Sequence, residues 1–447
     1  MLVRWKRLAL VSVAAALSIV VAVSFANGAP RGPSSAKATL KVYGFGPGDE
    51  IANTRADLAT SAVGGGVDNP RGGFDDRQFL ASFASGDVPD VVYLDRFKVA
   101  EFAAKGAFQP LTSCVKSKKI NLKQYTRSAL QEVTYKGKLY GIPEFTNPRT
   151  VIVDNHVVKD AGLKVSDLNT NNWAKLAQAN KKMLKVSGGK VTRIGFDPKL
   201  PEFFPLWAKA NGVDIISKDG LHAKLNSPKA VQALTFAYSL IKAHGGWNRF
   251  KAFRDTWDFF GSGNQVAKDQ IGAWPMEQWY YNVLASSSPQ VHIAAIPFRN
   301  HIGNVINFTS GSAWSIPKGA KNAAAACKWM KAMTSVSTWM AAARNRASIR
   351  AAKKQPYTGI FTANSVADEQ IFAKTYKPIN KYFDSAIHTV LQVEKYSFAI
   401  PSSPASAEFQ DAWMNAMTRV LQGQQTPKQA LDQAQKEAVK AINAAKK

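Results

Sequence analysis

The 447-residue sequence predicts an α/β protein, and three observations carry the prediction. Short apolar runs bounded by Gly, Pro or Asp alternate along the chain with segments of helical apolar spacing. Apolar residues make up 46% of the chain and charged residues 20%, which excludes a disordered polymer and supplies material for packed cores. The length exceeds what one hydrophobic core normally organises, so two or more domains, or one large two-lobed unit, are expected.

The elements follow in order. Residues 40–45 (LKVYGF) alternate like a strand, which Gly44, Gly46, Pro47 and Gly48 end. The Gly-rich stretch 64–73 lacks the spacing and lysine of a phosphate loop and reads as a plain loop. Residues 88–94 (VPDVVYL) read as a buried strand, followed by a helical stretch over 98–105. Strands are expected over 138–143 and 151–154, on either side of the segment 144–150. Helical spacing covers 173–185, 203–210 and 228–243, the last opened by Asn226-Ser227-Pro228. Further strands are expected over 270–276, 291–296 and 312–316, the last two stopped by Pro297 and Pro317. Helices follow over 323–334, 405–422 and 427–444, with Thr426 as N-cap of the last and Pro427 in its first turn.

The N-terminus has its own grammar. Arg4, Lys6 and Arg7 precede an apolar run over 8–23, which closes on Ser24, Phe25 and Ala26. A basic start, a short apolar core and a small-x-small end predict a secretory signal peptide over 1–26. The run is short for a membrane span, which needs about 20 residues; an uncleaved anchor is the competing reading. A Pro/Gly/Ser linker over 27–38 follows. In an exported protein the two cysteines, Cys114 and Cys327, are either one disulfide or two buried thiols. Two cysteines exclude a disulfide scaffold and a four-thiolate metal site.

The chain carries 58 Lys plus Arg against 31 Asp plus Glu, a formal charge of +27. Loss of Arg4, Lys6 and Arg7 with the leader would leave +24. No Asp or Glu occurs from Gln278 to Ala367, and a second basic cluster is Lys116, Lys118, Lys119 and Lys123. Export makes nucleic-acid binding a poor explanation, and these residues read mostly as solvated helix faces and loops. Catalytic and metal motifs are absent: there is no HExxH, EF-hand loop, P-loop or GxSxG, and no histidine stands at metal-ligand spacing from another. Eleven tryptophans are more informative, because flat C–H faces of sugar rings stack on indoles.

Several blocks together resemble a known family. They are ASGDVPDVVYLDRF (84–97), EFAAKGAFQPL (101–111), YKGKLYGIPEFTNPRTVIVDNHVVKDAGL (135–163), LNSPKAVQAL (225–234), GSAWSIPKGAKNAAAACKWMKAMTS (311–335) and FQDAWMNAMTRVLQGQQTPKQALDQAQ (409–435). In order and spacing they resemble the family 1 extracellular (periplasmic) solute-binding proteins of ABC importers, the group that includes maltose-binding protein. The resemblance implies a type II-like periplasmic binding protein fold. Each of its two lobes is a mixed sheet flanked by helices, and the ligand cleft lies between them. Lobe 1 is expected over 39–147 and 303–343, and lobe 2 over 148–302 and 344–447. The implied function is capture of a sugar or oligosaccharide for delivery to the membrane subunits of an ABC permease. No catalysis, cofactor, metal or specific nucleic acid is implied, and a monomer is expected.

Residue by residue, the resemblance makes Asp95 and Arg96 a sugar-hydroxyl pair after the second strand. Phe45 follows the first strand at a frequent contact position. Asn147 falls at the lobe crossing, with Glu144 and Phe145 as near alternatives. Met276-Glu277-Gln278-Trp279 stands where the family usually has Asp-Gly-Pro-Trp, so Trp279 takes the sugar-stacking position and Glu277 marks a departure. Trp274 is a candidate for the site or for the core, Trp207 is a further candidate, and Ser310, Gly311 and Ser312 form a turn that offers polar groups. An anionic ligand is the alternative, with Arg96, Arg149, Arg346 and Arg350 as possible forks.

Overall fold

The computed structural model describes residues 39–446 apart from Pro47 and Ile379, so the leader and linker expected over 1–38 lie outside the described residues. The first strands in chain order are β1 (Leu40–Tyr43), β2 (Val67–Asp68), β3 (Val91–Asp95), β4 (Thr134–Tyr135), β5 (Lys138–Leu139), β6 (Gly141–Pro143) and β7 (Arg149–Asp154). The rest are β8 (Lys185–Ser187), β9 (Lys190–Phe196), β10 (Ile271–Glu277), β11 (Ile293–Ile296), β12 (Asn307–Phe308), β13 (Ser312–Ser315) and β14 (Ser397–Phe398).

Two five-stranded mixed sheets organise the molecule, as the sequence led us to expect. The first has the order β2-β1-β3-β13-β6 and the second β11-β7-β10-β9-β8. In the first, β1 runs parallel to β3, and β13 runs antiparallel to β3 and β6. In the second, β7 runs antiparallel to β10 and β11, while β10 runs parallel to β9. All six residues of β7 are buried, which matches a central strand covered on both faces.

Helices cover both sheets. Helix Glu50–Val63 packs on Ala323–Thr334 and Val336–Ala352 beside the first sheet, over a core that includes Val91, Ile142, Trp314 and Trp329. Asp49 opens Glu50–Val63 by accepting from the N–H groups of Ile51 and Ala52. The second sheet's core includes Ile152, Ile194, Trp207 and Trp274, together with Trp413 and Leu431 of the last two helices, Ser406–Leu421 and Pro427–Ala445. Thr426 and Gln429 form a capping box at the start of the final helix. The lobe division expected at 343/344 falls inside the continuous helix Val336–Ala352, whose Trp339 and Met340 cluster with Ile51 and Ile371.

Of the two readings left open for the cysteines, the bridge is the one present. Cys114 and Cys327 join helix Thr112–Lys118 to helix Ala323–Thr334 across 213 residues of sequence.

The chain passes between the sheets at 144–148, from β6 to β7, and at 309–311, from β12 to β13. The two passages lie side by side, because the Asn147 N–H donates to the Ser310 carbonyl at 2.9 Å. Beyond them, Asp368, which is buried, and Glu394, which is partly buried, form an acidic pair. Asp368 Oδ1 accepts from the Thr362 N–H at 2.9 Å, while Asp368 Oδ2 and Glu394 Oε1 have no hydrogen-bond partner. Burial pushes both carboxyls up, Asp368 with a further push from the charge of Glu394, which itself rises to about 7. A carboxyl raised in the folded state stabilises fully at pH values below its unfolded pKa and loses that contribution as pH climbs through the folded value. Unfolding in urea is therefore expected to lose about 2 kcal/mol between pH 5 and pH 8, at ~1.4 kcal/mol per pKa unit. Glu394→Gln is expected to flatten that slope; parallel slopes in the two proteins would refute the assignment.

Candidate functional site

Two hollows adjoin at the crossing passages, and residues from both sheets line them. The first is lined by Asp95, Arg149, Glu202, Phe203, Glu277, Ser310 and Gly311, with Gln410 and Trp413 of helix Ser406–Leu421. The second is lined by Asp49, Phe145, Asn147, Gln278, Trp279 and Arg346. They share the turn Glu277-Gln278-Trp279, and the Asn147–Ser310 hydrogen bond ties their walls together. Local structure explains the placement. Asp95 ends β3, Glu277 ends β10, and Trp279 is the first residue of helix Trp279–Ser287. Both strands therefore deliver their last side chains to the same gap.

Arg149 stands at the centre of the floor. It begins β7, and the antiparallel register sets it opposite Glu277. Only 5% exposed, it lies with Cζ 4.7 Å from the Phe203 ring centre and 4.3 Å from that of Phe308. Its guanidinium donates to the Phe308 carbonyl at 2.7 Å, to Glu277 Oε1 at 2.9 Å and to Ser310 Oγ at 3.1 Å. Burial lowers its pKa and Glu277 opposes that shift. Gln278 Nε2 donates to the Thr146 carbonyl at 3.1 Å, which locks the turn ahead of Trp279.

The sequence-derived candidates divide into two groups. Asp95, Asn147, Glu277, Trp279, Ser310 and Gly311 all come together at the hollows. Six others do not, and each has a physical reason. Phe45 is buried against Tyr93 and Trp314, with both ring pairs at 5.2 Å. Trp207 is a core residue whose indole N–H donates to the Pro198 carbonyl at 2.8 Å, and Trp274 is buried among Trp257, Phe259 and Tyr280. Arg96 points inward to Glu132 at 2.8 Å and to the Phe145 carbonyl. Glu144 is fully buried against Arg55. Ser312 pairs with Asp95 across the sheet and stays on the strand. Positions beside the lining residues thus pack behind the hollows instead of facing them.

The sequence reading passed over Glu202, Phe203, Gln410 and Met414, which also line the first hollow. Glu202 and Phe203 occupy the turn before helix Phe204–Ala210, where a tryptophan drew attention instead. Gln410 and Met414 stand four apart on one helix, so they share a face; that spacing was the available signal.

The arginines offered as anion forks are all engaged. Arg96 meets Glu132, and Arg149 meets Glu277. Arg346 meets Glu50 at 2.7 Å and also Asp49, while Arg350 meets Glu50 at 3.6 Å and Asn282 at 3.1 Å.

Two mixed α/β lobes with a polar, aromatic-edged cleft at their crossing passages define a protein that holds a small solute between lobes. Residues 66–338, more than half of the chain, match the family described as bacterial extracellular solute-binding protein, and the chain belongs to that family. Solved structures agree in fold. An ABC substrate-binding protein from Listeria monocytogenes in complex with cycloalternan has a TM-score of 0.74 at 18% identity, covering 91% of this chain and 99% of that one. An ABC transporter solute-binding protein from Thermotoga lettingae bound with alpha-D-tagatose has a TM-score of 0.72 at 20% identity, over 90% and 99%. The maltose/maltodextrin-binding domain from Bdellovibrio bacteriovorus bound to maltotriose has a TM-score of 0.69 at 18% identity, over 91% and 100%.

Proposed function

We propose that the cleft captures a neutral sugar or oligosaccharide and that the exported chain, a monomer, hands it unchanged to the membrane subunits of an ABC permease. The observation that carries this reading is the pairing of every cleft arginine with a carboxylate. A ligand carboxylate or phosphate would have to compete with Glu277 for the buried Arg149, and with Asp49 and Glu50 for Arg346. Beside these pairs the cleft offers hydroxyl-binding groups (Asp95, Asn147, Glu202 and Ser310, whose hydroxyl also accepts from Arg149) next to aromatic faces, which suits polyhydroxylated rings. The sugars bound by the solved relatives support the same class. Among the described residues no helix is long and apolar enough to cross a membrane. The basic, apolar and small-residue pattern of the N-terminus supports export. Ligand binding would favour a closed arrangement of the lobes over an open one, and the permease would read that form.

A thermal-shift panel tests the class. A cognate neutral sugar at 100 times its Kd stabilises the fold by about 2.7 kcal/mol and raises the unfolding midpoint. Maltotriose, mannotriose, tagatose and related neutral sugars are expected to include such a ligand, recovered intact. A panel in which only sugar acids, sugar phosphates or dicarboxylates shift the midpoint would overturn the proposal.

A further inference from the structure

The second sheet carries a second polar cluster at the end opposite the cleft. Arg149 and Glu277 pair at the cleft end of β7 and β10, so Asp154 and the residues ahead of Ile271 lie at the far end. Ile293 of β11 pairs with Asp154 and brings His292 to the same place. Asp154, His156 and Asp269 present one ligand atom each, all within 4.8 Å of one another.

The details favour a bound cation. Asp154 is only 4% exposed. Its Oδ1 accepts from the His156 N–H at 2.9 Å and the Val157 N–H at 3.3 Å, while its Oδ2 has no hydrogen-bond partner. An orphaned carboxylate oxygen in a buried position costs free energy unless something meets it. Asp269 faces the cluster from a left-handed backbone, φ 51°, with its Oδ1 3.6 Å from His156 Nδ1. On its other side His156 Nε2 lies 3.0 Å from His292 Nδ1, and the His292 ring stacks on Tyr382 with centres 4.2 Å apart. A histidine that binds metal through Nδ1 carries its proton on Nε2 and donates it to an outer partner, which is the role His292 is placed to fill.

We propose that Asp154, His156 and Asp269 bind a divalent transition-metal ion, with His292 orienting the His156 ring. One nitrogen and two carboxylate ligands suit zinc or manganese, with water completing the shell. Ligand atoms around zinc stand about 3.4 Å apart; His156 and Asp269, both exposed, close the remaining gap by rotating. The sequence revealed none of this, because Asp269 lies more than a hundred residues from Asp154 and His156 and only the fold brings them together.

The test uses the tag-free mature chain, stripped with EDTA and titrated calorimetrically with zinc chloride and manganese chloride, with magnesium chloride as control. One zinc ion per chain is expected to bind, with a rise of a few degrees in the unfolding midpoint that EDTA reverses. His156→Ala is expected to weaken zinc binding more than tenfold while leaving the metal-free midpoint in place, since its side chain is exposed. His292→Ala is expected to weaken binding about tenfold, in line with outer-partner losses. No saturable zinc binding up to about 100 micromolar, or zinc binding as tight in His156→Ala or Asp269→Asn as in the unaltered chain, would overturn the proposal.

Discussion

Arg55→Ala is expected to cost about 3–5 kcal/mol of folding stability, the usual penalty for stranding one member of a buried ion pair. Arg55 is 1% exposed and Glu144 fully buried, and the two side chains are in direct contact. The guanidinium also lies 4.0 Å from the Trp339 ring centre and 5.1 Å from that of Phe145, and it donates to the Met333 carbonyl at 3.3 Å. Burial pushes the Glu144 carboxyl up, while Arg55, Tyr93 and Trp314 draw it down. Removing Arg55 deletes the largest of those opposing influences, so the folded pKa of Glu144 rises further. The deficit should then be smaller at pH 5 than at pH 8, because a protonated Glu144 no longer needs a counter-charge. Urea unfolding followed by circular dichroism reads both effects. The double variant Arg55→Met with Glu144→Gln is expected to recover most of the loss. A single-variant deficit below about 1 kcal/mol would put the pair in the range of an exposed bridge and refute this account.

Trp279→Ala is expected to weaken the cognate sugar tenfold to a hundredfold, about 1.4–2.8 kcal/mol, within the range of an aromatic hot spot. Trp279 is half-buried, supported by Phe259 at 6.2 Å and by Phe260 at 6.3 Å in a nearly parallel stack of 18°. Phe260 is itself 67% exposed, so the stack presents apolar surface to solvent beside Trp279. Calorimetric titration against the sugar found by the panel measures the loss. Trp207→Phe provides the contrast: it removes the bond to the Pro198 carbonyl, lowers stability by about 1 kcal/mol and leaves affinity within threefold. Equal affinity losses in the two variants would mean that Trp279 acts through the fold and not through the ligand.

The sequence made the sheets legible because their strands are short apolar runs with sharp ends. Residues 323–334 and the capped final helix were equally plain, since Thr426 and Pro427 mark the start. Helix Glu50–Val63 is hard to read because Arg55 stands in its buried stripe, whereas Lys381–Glu394 carries regular apolar spacing at Phe383, Ala386, Ile387, Val390 and Val393 and was legible in principle. The site divided along a different line. Strand ends and the turn before Trp279 were readable from the blocks of resemblance. Whether a neighbouring side chain faces the gap or the interior depends on partners far away in sequence. Arg96 finds Glu132 and Glu144 finds Arg55, and neither pairing leaves a mark in local sequence.

The bridge between Cys114 and Cys327 closes a covalent ring around every residue of the second sheet. Both cysteines belong to the cluster that packs the first sheet, so the clasp of the ring rides on one lobe only. A rocking motion of the lobes would leave it slack-free and unstretched. A protease cut anywhere within the ring would open a loop without releasing a fragment, so a nicked chain would run as one species until a reductant is added.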